Sequence, residues 1–337
     1  MPARQVSSAS VVIVTYNRAR LLEATLDSLR RTVSERPWDV VVIDNNSNDD
    51  TRQVVTAFAA TAPVPVMYLH EARQGKSNAL NTGFAHARGD ILLLTDDDVE
   101  VDPRWLEEAC LAFDRDPTID YAGGPVAPIW GATPPSWFDR QRSDLWGTVA
   151  ILDYGDTPFL FEERQRVPLG ANMAVRRDLI ARVGAFHPEL GRNGRSLLGQ
   201  EQAEFLARAR AHGVRGAYVP GMKVAHHVPA SRLTKQYFRR WWFWKGISRA
   251  RVDAMHHRTE LGLDLHRVPH IAGVPRYVWG QIPREAAQWV RARLAGREKD
   301  AMRHAMRLAY CLGYIRACWS RQSLTPLDPI AVRGTPA

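Results

Sequence analysis

The sequence has too few cysteines for a disulfide framework. Cys110, Cys311 and Cys318 are the only three in 337 residues, an odd count with no CxxC pair, which argues against cross-linking and for a reducing compartment. No metal site rests on them. Long apolar runs are also lacking: about 18 consecutive apolar residues are needed to span a bilayer, and none occurs. The apolar stretch nearest the amino terminus, Val11 to Val14, is too short for the core of a leader peptide, so the protein is expected in the cytosol. Internal repeats and low-complexity tracts are absent too.

What is present is ordinary for a globular protein, with 45% hydrophobic and 24% charged residues. The length suits one large domain with an extension, or two domains. Charge is unevenly spread. Residues 233–337 hold 19 Lys+Arg against 7 Asp+Glu, a surplus of +12 in a chain of net +9, so residues 1–232 carry −3. A mildly acidic body and a strongly basic tail imply a division of labour.

The first hundred residues alternate between two periodicities. SVVIVTY (10–16), DVVVIDN (39–45), VPVMYLH (64–70) and DILLLTD (90–96) are short β-branched or aliphatic runs, as expected of buried parallel strands. Between them, Arg20 to Arg31, a segment holding Val54, Val55 and Phe58 behind the caps Ser47 and Asp50, and Lys76 to Ala87 read as helices. Strand and helix in repetition predict a Rossmann-like α/β fold, a mostly parallel sheet with helices on both faces. Ligands in such sheets sit off the carboxyl ends of the strands. The polar residues there are Thr15, Tyr16 and Asn17, then Asp44 to Asn46, then Asp96, Asp97 and Asp98. A further helix is expected over Glu201 to His212, stopped by Gly213, and apolar residues recur at helical spacing from Ile282 to Cys318.

Three adjacent aspartates repel one another unless something offsets their charge. A divalent cation with open positions does so and clamps a diphosphate. Along an extended chain Asp96 and Asp98 point one way and Asp97 the other, which favours the first two on the ligand side. A solvated turn preceding a helix near Pro103 is the alternative.

The blocks VVIVTYNR, VVVIDNNSND, QGKSNALNTGFAHARGDILLLTDDDV with PRWLE, GANMAVRR, and GAFHPELGRNG ahead of LLGQEQAEFLARA occur in an order that resembles family-2 glycosyltransferases of the GT-A fold. The resemblance covers roughly residues 10–232. It implies inverting transfer of a sugar from a nucleotide diphosphate sugar, by default of uridine, to an acceptor hydroxyl on a glycan, lipid-linked or small molecule, assisted by Mn²⁺ or Mg²⁺. It also divides the chain into a catalytic domain at 1–232 (a nucleotide-sugar half at about 8–104 and an acceptor half at about 105–232), a helical basic extension at 233–325 and a frayed tail at 326–337.

Carried over position by position, the resemblance places Thr15, Tyr16 and Asn17 around the nucleotide, Asp44 against the base, Lys76 and Asp97 beside the donor, Asp96 near the ribose and Asp98 on the metal, with Asp96 a second candidate ligand. His226, a few residues before Ser231 and Arg232, resembles the family's metal-binding histidine; alternation sends His227 the other way. Gly170 and Asn172 resemble a Gly-Asn block close to donor sugar and acceptor. The catalytic base falls to Glu201, because Gln200, which stands where the family often has the first of two acids, cannot accept a proton. Glu204 is the rival base, and Arg208 is its expected ion-pair partner at i+4.

Two other function classes compete. A sugar nucleotidyltransferase shares the α/β core but needs a Gly-rich phosphate loop after the first strand, and VTYNRAR has no glycine. The other is a non-catalytic basic scaffold that binds nucleic acid or anionic lipid through its tail; nothing resembles a nucleic-acid module, and the acidic body would repel phosphates without a metal. The aromatic and basic stretch 237–251, YFRRWWFWKGISRAR, suits either packing on the catalytic domain or peripheral attachment to an anionic membrane at the inner leaflet.

Overall fold

The computed structural model describes residues 5–140, 143–161, 166–194, 196–259 and 262–320; the tail expected at 326–337 lies outside them. The first elements are β1 (Ala9–Thr15), α1 (Ala19–Leu29), β2 (Trp38–Asp44), α2 (Thr51–Ala59), β3 (Val66–His70), α3 (Lys76–His86) and β4 (Ile91–Asp96). The four strands, α1 and α3 lie within about two residues of the limits that periodicity predicts, and α2 contains the expected Val54, Val55 and Phe58. The four strands are mutually parallel in the order β3-β2-β1-β4, so all four carboxyl ends emerge along one edge.

After these come β5 (Val99–Val101), α4 (Trp105–Arg115), β6 (Tyr121–Gly123), β7 (Val126–Trp130), α5 (Ser143–Trp146), β8 (Phe159–Leu160), β9 (Asn172–Arg176), α6 (Arg177–Val183), α7 (Glu201–Ala211), β10 (Gly216–Tyr218) and β11 (Val224–Val228). Strand β9 runs antiparallel beside β4 and continues the sheet through β6 and β10 to β8, giving eight strands. A second sheet, β5-β11-β7, starts immediately after the three aspartates.

Alternation along the strands builds two cores. Val11, Ile13, Val40 and Val42 face Leu22 and Leu26 of α1, Phe58 of α2 and Trp105 of α4. Their neighbours Val12, Val41, Ile43 and Leu94 face Leu80 and Phe84 of α3 and Phe205 of α7. Each fully buried aliphatic or aromatic side chain of this kind stabilises by about 1.5–3 kcal/mol.

The helix caps differ from those expected. Asp50 holds the N-cap position of α2 without a side-chain capping bond, and Ser47 lies outside the cap; Asp49 accepts from Thr51 N at 3.2 Å and, through its other oxygen, from Ala19 N at 3.0 Å at the start of α1. Ser47 Oγ instead accepts from Asn17 N at 2.9 Å, tying the end of β1 to that of β2.

The basic tail forms α8 (Lys235–His256), α9 (Arg276–Leu294) and α10 (Glu298–Trp319). The helical spacing over Ile282 to Cys318 therefore belongs to two helices, broken where Gly296 takes φ +67°. Thr234 caps helix α8, its hydroxyl accepting from Tyr237 N at 3.1 Å. Its aromatic run packs inward. Phe238 is buried against Trp137 and Phe138, with ring centroids 5.0 and 5.7 Å away, Trp242 Nε1 donates to Thr148 Oγ1 at 3.1 Å, and Trp241, Phe243 and Trp244 are half-buried. Among the described residues no helix is long and apolar enough to cross a membrane.

Two glycines set the distance between α8 and α10. A Cβ at Gly246 would lie 2.1 Å from Tyr310 O, and one at Gly313 would lie 1.9 Å from Phe243 O, so the two backbones touch. Gly313→Ala must push the helices apart. Overpacking of this kind costs about 1–3 kcal/mol, and chemical denaturation is expected to show that loss.

Candidate active site

Strand β4 stops at Asp96, and the chain turns through Asp97 and Asp98 before β5. Strict alternation therefore fails for the aspartates, and all three line one cavity of about 460 Å³ at the carboxyl ends of β1 and β4. Asp97 does not point away, because the turn swings it back under Thr15, whose hydroxyl donates to Asp97 Oδ2 at 2.9 Å. Arg18 Nη1 bridges Asp97 Oδ1 at 2.8 Å and Asp98 Oδ2 at 3.0 Å. Lys76 Nζ meets Asp96 Oδ1 at 2.5 Å. Each carboxylate thus has a cation contact, with Asp97 and Asp98 sharing Arg18.

Asp97 and Asp98, only 4% and 2% exposed, are pulled in opposite directions. Burial disfavours charge on both. For Asp98, His226, Arg18 and Arg232 outweigh burial and hold the carboxyl below the usual carboxylate range. For Asp97, burial prevails over Arg18, with Asp98 and Asp96 adding to the upward push. The same pair raises Arg18, chiefly through Asp97. Burial works against the Lys76 charge, but Asp96 and then Glu201 more than restore it.

His226 and His227 separate as alternation predicts. His226 is buried on β11 with Nε2 3.4 Å from Asp98 Oδ2, while His227 Nε2 lies 2.8 Å from Glu100 Oε1. Arg232, just before α8, donates from Nη2 to Asp98 at 3.2 Å and contacts His226 Nε2 through Nη1 at 3.0 Å. Asp98 Oδ2 and His226 Nε2 converge as a hard and a borderline ligand, and His226 Nδ1 is enclosed without a hydrogen-bond partner. These are the two residues that would hold a divalent cation, which takes carboxylate oxygen and imidazole nitrogen as ligands. Among the described residues no cluster of three or more His, Cys, Asp or Glu forms a self-sufficient metal cage.

A smaller cavity adjoins the first and is lined by Lys76, Asp96, Gly170, Glu201 and Gln202. Glu201 opens α7, and the preceding Gln200 holds a left-handed φ of +70°. Positive φ in a non-glycine residue is uncommon and clusters at functional sites. Glu204, the rival base, is buried and occupied. Arg208 donates to its two oxygens at 2.6 and 2.9 Å, and His256 Nε2 sits 3.2 Å away. Arg208 in turn donates to the Val183 and Ala185 carbonyls, so Glu204 anchors α7 instead of facing the cleft.

Three further residues lie away from the cavity walls. Asn17 is a left-handed turn residue at φ +52° whose Oδ1 accepts from Asn48 N at 2.8 Å. Asp44 is buried with its oxygens taken by Tyr68 OH at 2.7 Å and Ser47 N at 2.8 Å. Asn172 is fully buried, accepts from Trp105 Nε1 at 2.8 Å, and donates to the Pro125 and Met222 carbonyls. It joins β9, α4 and the β11 approach beneath the site. By contrast Thr15, Tyr16, Lys76, Asp96, Asp97, Asp98 and His226 share the main cavity. Arg18, Arg192, Arg232 and Arg240 line it too; none of them was singled out as a site residue, although Arg18 closes the first block and Arg232 marks the position of His226.

The loop that delivers Lys76 is fixed from below. Asn45 accepts from Gly75 N at 2.8 Å and donates to the Glu71 and Arg73 carbonyls at 3.1 and 2.8 Å. Glu71 accepts from Arg73 N at 2.8 Å, Arg73 Nη2 at 2.8 Å and the Thr82 hydroxyl.

This arrangement, acids at the carboxyl edge of a parallel sheet facing a basic cleft, is that of a transferase of the GT-A fold. Residues 10–184 match the sequence model of glycosyl transferase family 2, a span of more than half the chain. The protein belongs to that family and is a glycosyltransferase. It is 24% identical over 250 residues to the glucosyl-dolichyl phosphate glucuronosyltransferase of Haloferax volcanii, covering 73% of this chain and 78% of the relative. It is 26% identical over 244 residues to the succinoglycan biosynthesis protein ExoM of Rhizobium meliloti, covering 72% and 74%. Among solved structures it shares the fold of the mannosyltransferase PcManGT from Pyrobaculum calidifontis, crystallised with GDP-Man and Mn²⁺, at TM-score 0.63 and 21% identity over 95% of this chain and 89% of that one.

Arg73 and Thr82 hold the Glu71 carboxyl down at about 2, against an ordinary 4.5. Because the folded value is depressed, its stabilisation is present above about pH 4.5 and lost as pH falls toward 2. After allowing for solvent screening at exposed Arg73, the contribution is about 2 kcal/mol. Glu71→Gln is expected to flatten the acid limb of the stability curve between pH 4.5 and 2 in urea titrations.

Proposed function

We propose that this glycosyltransferase moves a sugar from a nucleoside diphosphate sugar to an acceptor hydroxyl in one inverting displacement, with Mn²⁺ or Mg²⁺. The carrying observation is the cleft in which Asp96, Asp97 and Asp98 are each met by a cation, Lys76, Arg18 and Arg232. Such a site accepts a diphosphate without leaving either sign of charge uncompensated.

In this mechanism Thr15 and Tyr16 border the nucleotide. Arg18 and Arg232 turn from the aspartates toward the phosphate oxygens, which they suit as planar forks. Asp98 and His226 hold the cation, which, when bound, neutralises the charge that develops on the leaving diphosphate. Asp96 and Lys76 orient the donor sugar beside Gly170, where the absence of a side chain leaves room. Glu201 takes the proton of the acceptor hydroxyl as its oxygen bonds to the anomeric carbon. The electron pair of the anomeric C–O bond leaves with the nucleoside diphosphate.

The reading is supported by family membership and by the position of Glu201 at the end of the cleft next to Lys76 and Asp96. Glu204 is not carried forward, since its oxygens are held by Arg208 and His256. Acceptors in keeping with the relatives are glycans and lipid-linked sugars.

Calorimetric titration with a panel of nucleoside diphosphates, with Mn²⁺ and with chelator, is the test, followed by a product assay. Asp98→Asn is expected to lose metal-dependent nucleotide binding. Glu201→Gln should keep nucleotide binding while transfer falls about 10²- to 10⁴-fold; full transfer in that variant would remove Glu201 from the mechanism.

A further inference from the structure

The cleft extends past the strand-end carboxylates. Beside the cavity of about 460 Å³ lies a second of about 520 Å³, and the two share Arg18, Asp98, Arg192, Arg232 and Arg240. The rest of the second wall includes Leu21 of α1, Ser231, and Gln236 and Tyr237 from the first turn of α8. Ligand sites run from roughly 300 to 1,000 Å³, so each chamber is of ligand size by itself.

Charge in the second chamber is one-sided. Four guanidiniums face one carboxylate, and Asp98 is already contacted by Arg18 at 3.0 Å and Arg232 at 3.2 Å. Arg192 is half-buried, and its guanidinium makes no hydrogen bond or ion pair among the described residues; the Lys76 charge nearby repels it. Its place is nevertheless fixed, because the Arg192 carbonyl accepts from Lys76 N at 2.8 Å. A half-enclosed cation held without a counter-charge is costly unless an anion joins it. The amino-terminal end of the 22-residue helix α8 adds partial positive charge on the same side.

We infer that the second chamber is a phosphoryl site for the acceptor, which anchors there through a phosphate ester while its hydroxyl reacts elsewhere. The inference rests on the transferase reading above: with the donor diphosphate in the first chamber, the remaining substrate is the acceptor. Arg18 and Arg232 serve the donor, and Arg192 is left to grip a second phosphate as a planar fork, with Arg240 on the same wall. No bond to phosphorus is made or broken. The ester is borne either by a lipid or by a soluble sugar.

The full chain, saturated with Mn²⁺ and whichever nucleoside diphosphate binds, is titrated with geranyl phosphate, glucose 1-phosphate and uncharged geraniol. One ester is expected to bind per chain without displacing nucleotide; binding of geranyl phosphate alone marks a lipid acceptor, and of glucose 1-phosphate alone a soluble one. Arg192→Ala should weaken the ester about tenfold. Gln236→Glu, which puts negative charge in the second chamber only and suits a helix start, should weaken it about threefold or more with nucleotide affinity unchanged. The inference is overturned if the ester displaces the nucleotide, if neither ester binds the nucleotide-loaded chain, or if both variants bind it as the wild type does. Failure to bind any nucleoside diphosphate would instead overturn the transferase reading itself.

Discussion

Three carboxylates confined within three consecutive residues, two of them almost wholly buried, constrain everything around them. Like charges at that spacing stay ionised in a low-dielectric site only if cations reach them. Arg18, Lys76 and Arg232 arrive from three separate parts of the chain, the β1–α1 turn, the start of α3 and the turn before α8. The parallel sheet brings the first two to the edge where β4 ends, and β11 carries the third. The site is therefore a product of topology more than of any one motif.

The same constraint explains the loop architecture. Lys76 has to reach Asp96 from a helix start, so the preceding residues are pinned by Asn45 and Glu71. Asn17 and Ser47 tie β1 to β2 at the same edge. These are polar contacts beneath a binding surface, and they hold its groups in place before a substrate arrives, which lowers the reorganisation that binding requires.

Much of the sheet was legible in the sequence because buried parallel strands announce themselves as β-branched runs. Helices α1 and α3 followed from spacing. The site was only partly legible. Asp96 and Asp98 were expected to face one way and Asp97 the other, but that argument holds for extended chain, and the strand had already ended. Asp44 and Asn172 match a motif by residue type while their side chains are consumed by internal hydrogen bonds, a distinction that spacing cannot reveal. Glu201 and Glu204 share a helix face, and only the positions of Arg208 and His256, fixed by tertiary packing, separate an anchor from a cleft residue. The aromatic run after Tyr237 suited a lipid surface or a protein core on composition; that Phe238 packs on Trp137 and Phe138, a hundred residues earlier, is a tertiary contact that spacing cannot reveal.

That last contact has a consequence in time. The core formed by Trp137, Phe138, Leu145 and Val149 is closed by Phe238 from α8 and by Met302 and Met306 from α10. During synthesis, which delivers residues in order, the sheet can assemble while this patch still waits for chain not yet made. Arg232 and Arg240, which complete the cleft, sit at the base of that late-arriving unit. The nascent protein thus holds Arg18, Lys76 and the three carboxylates before Arg232 is made, so Asp98 gains its second guanidinium only with this later unit.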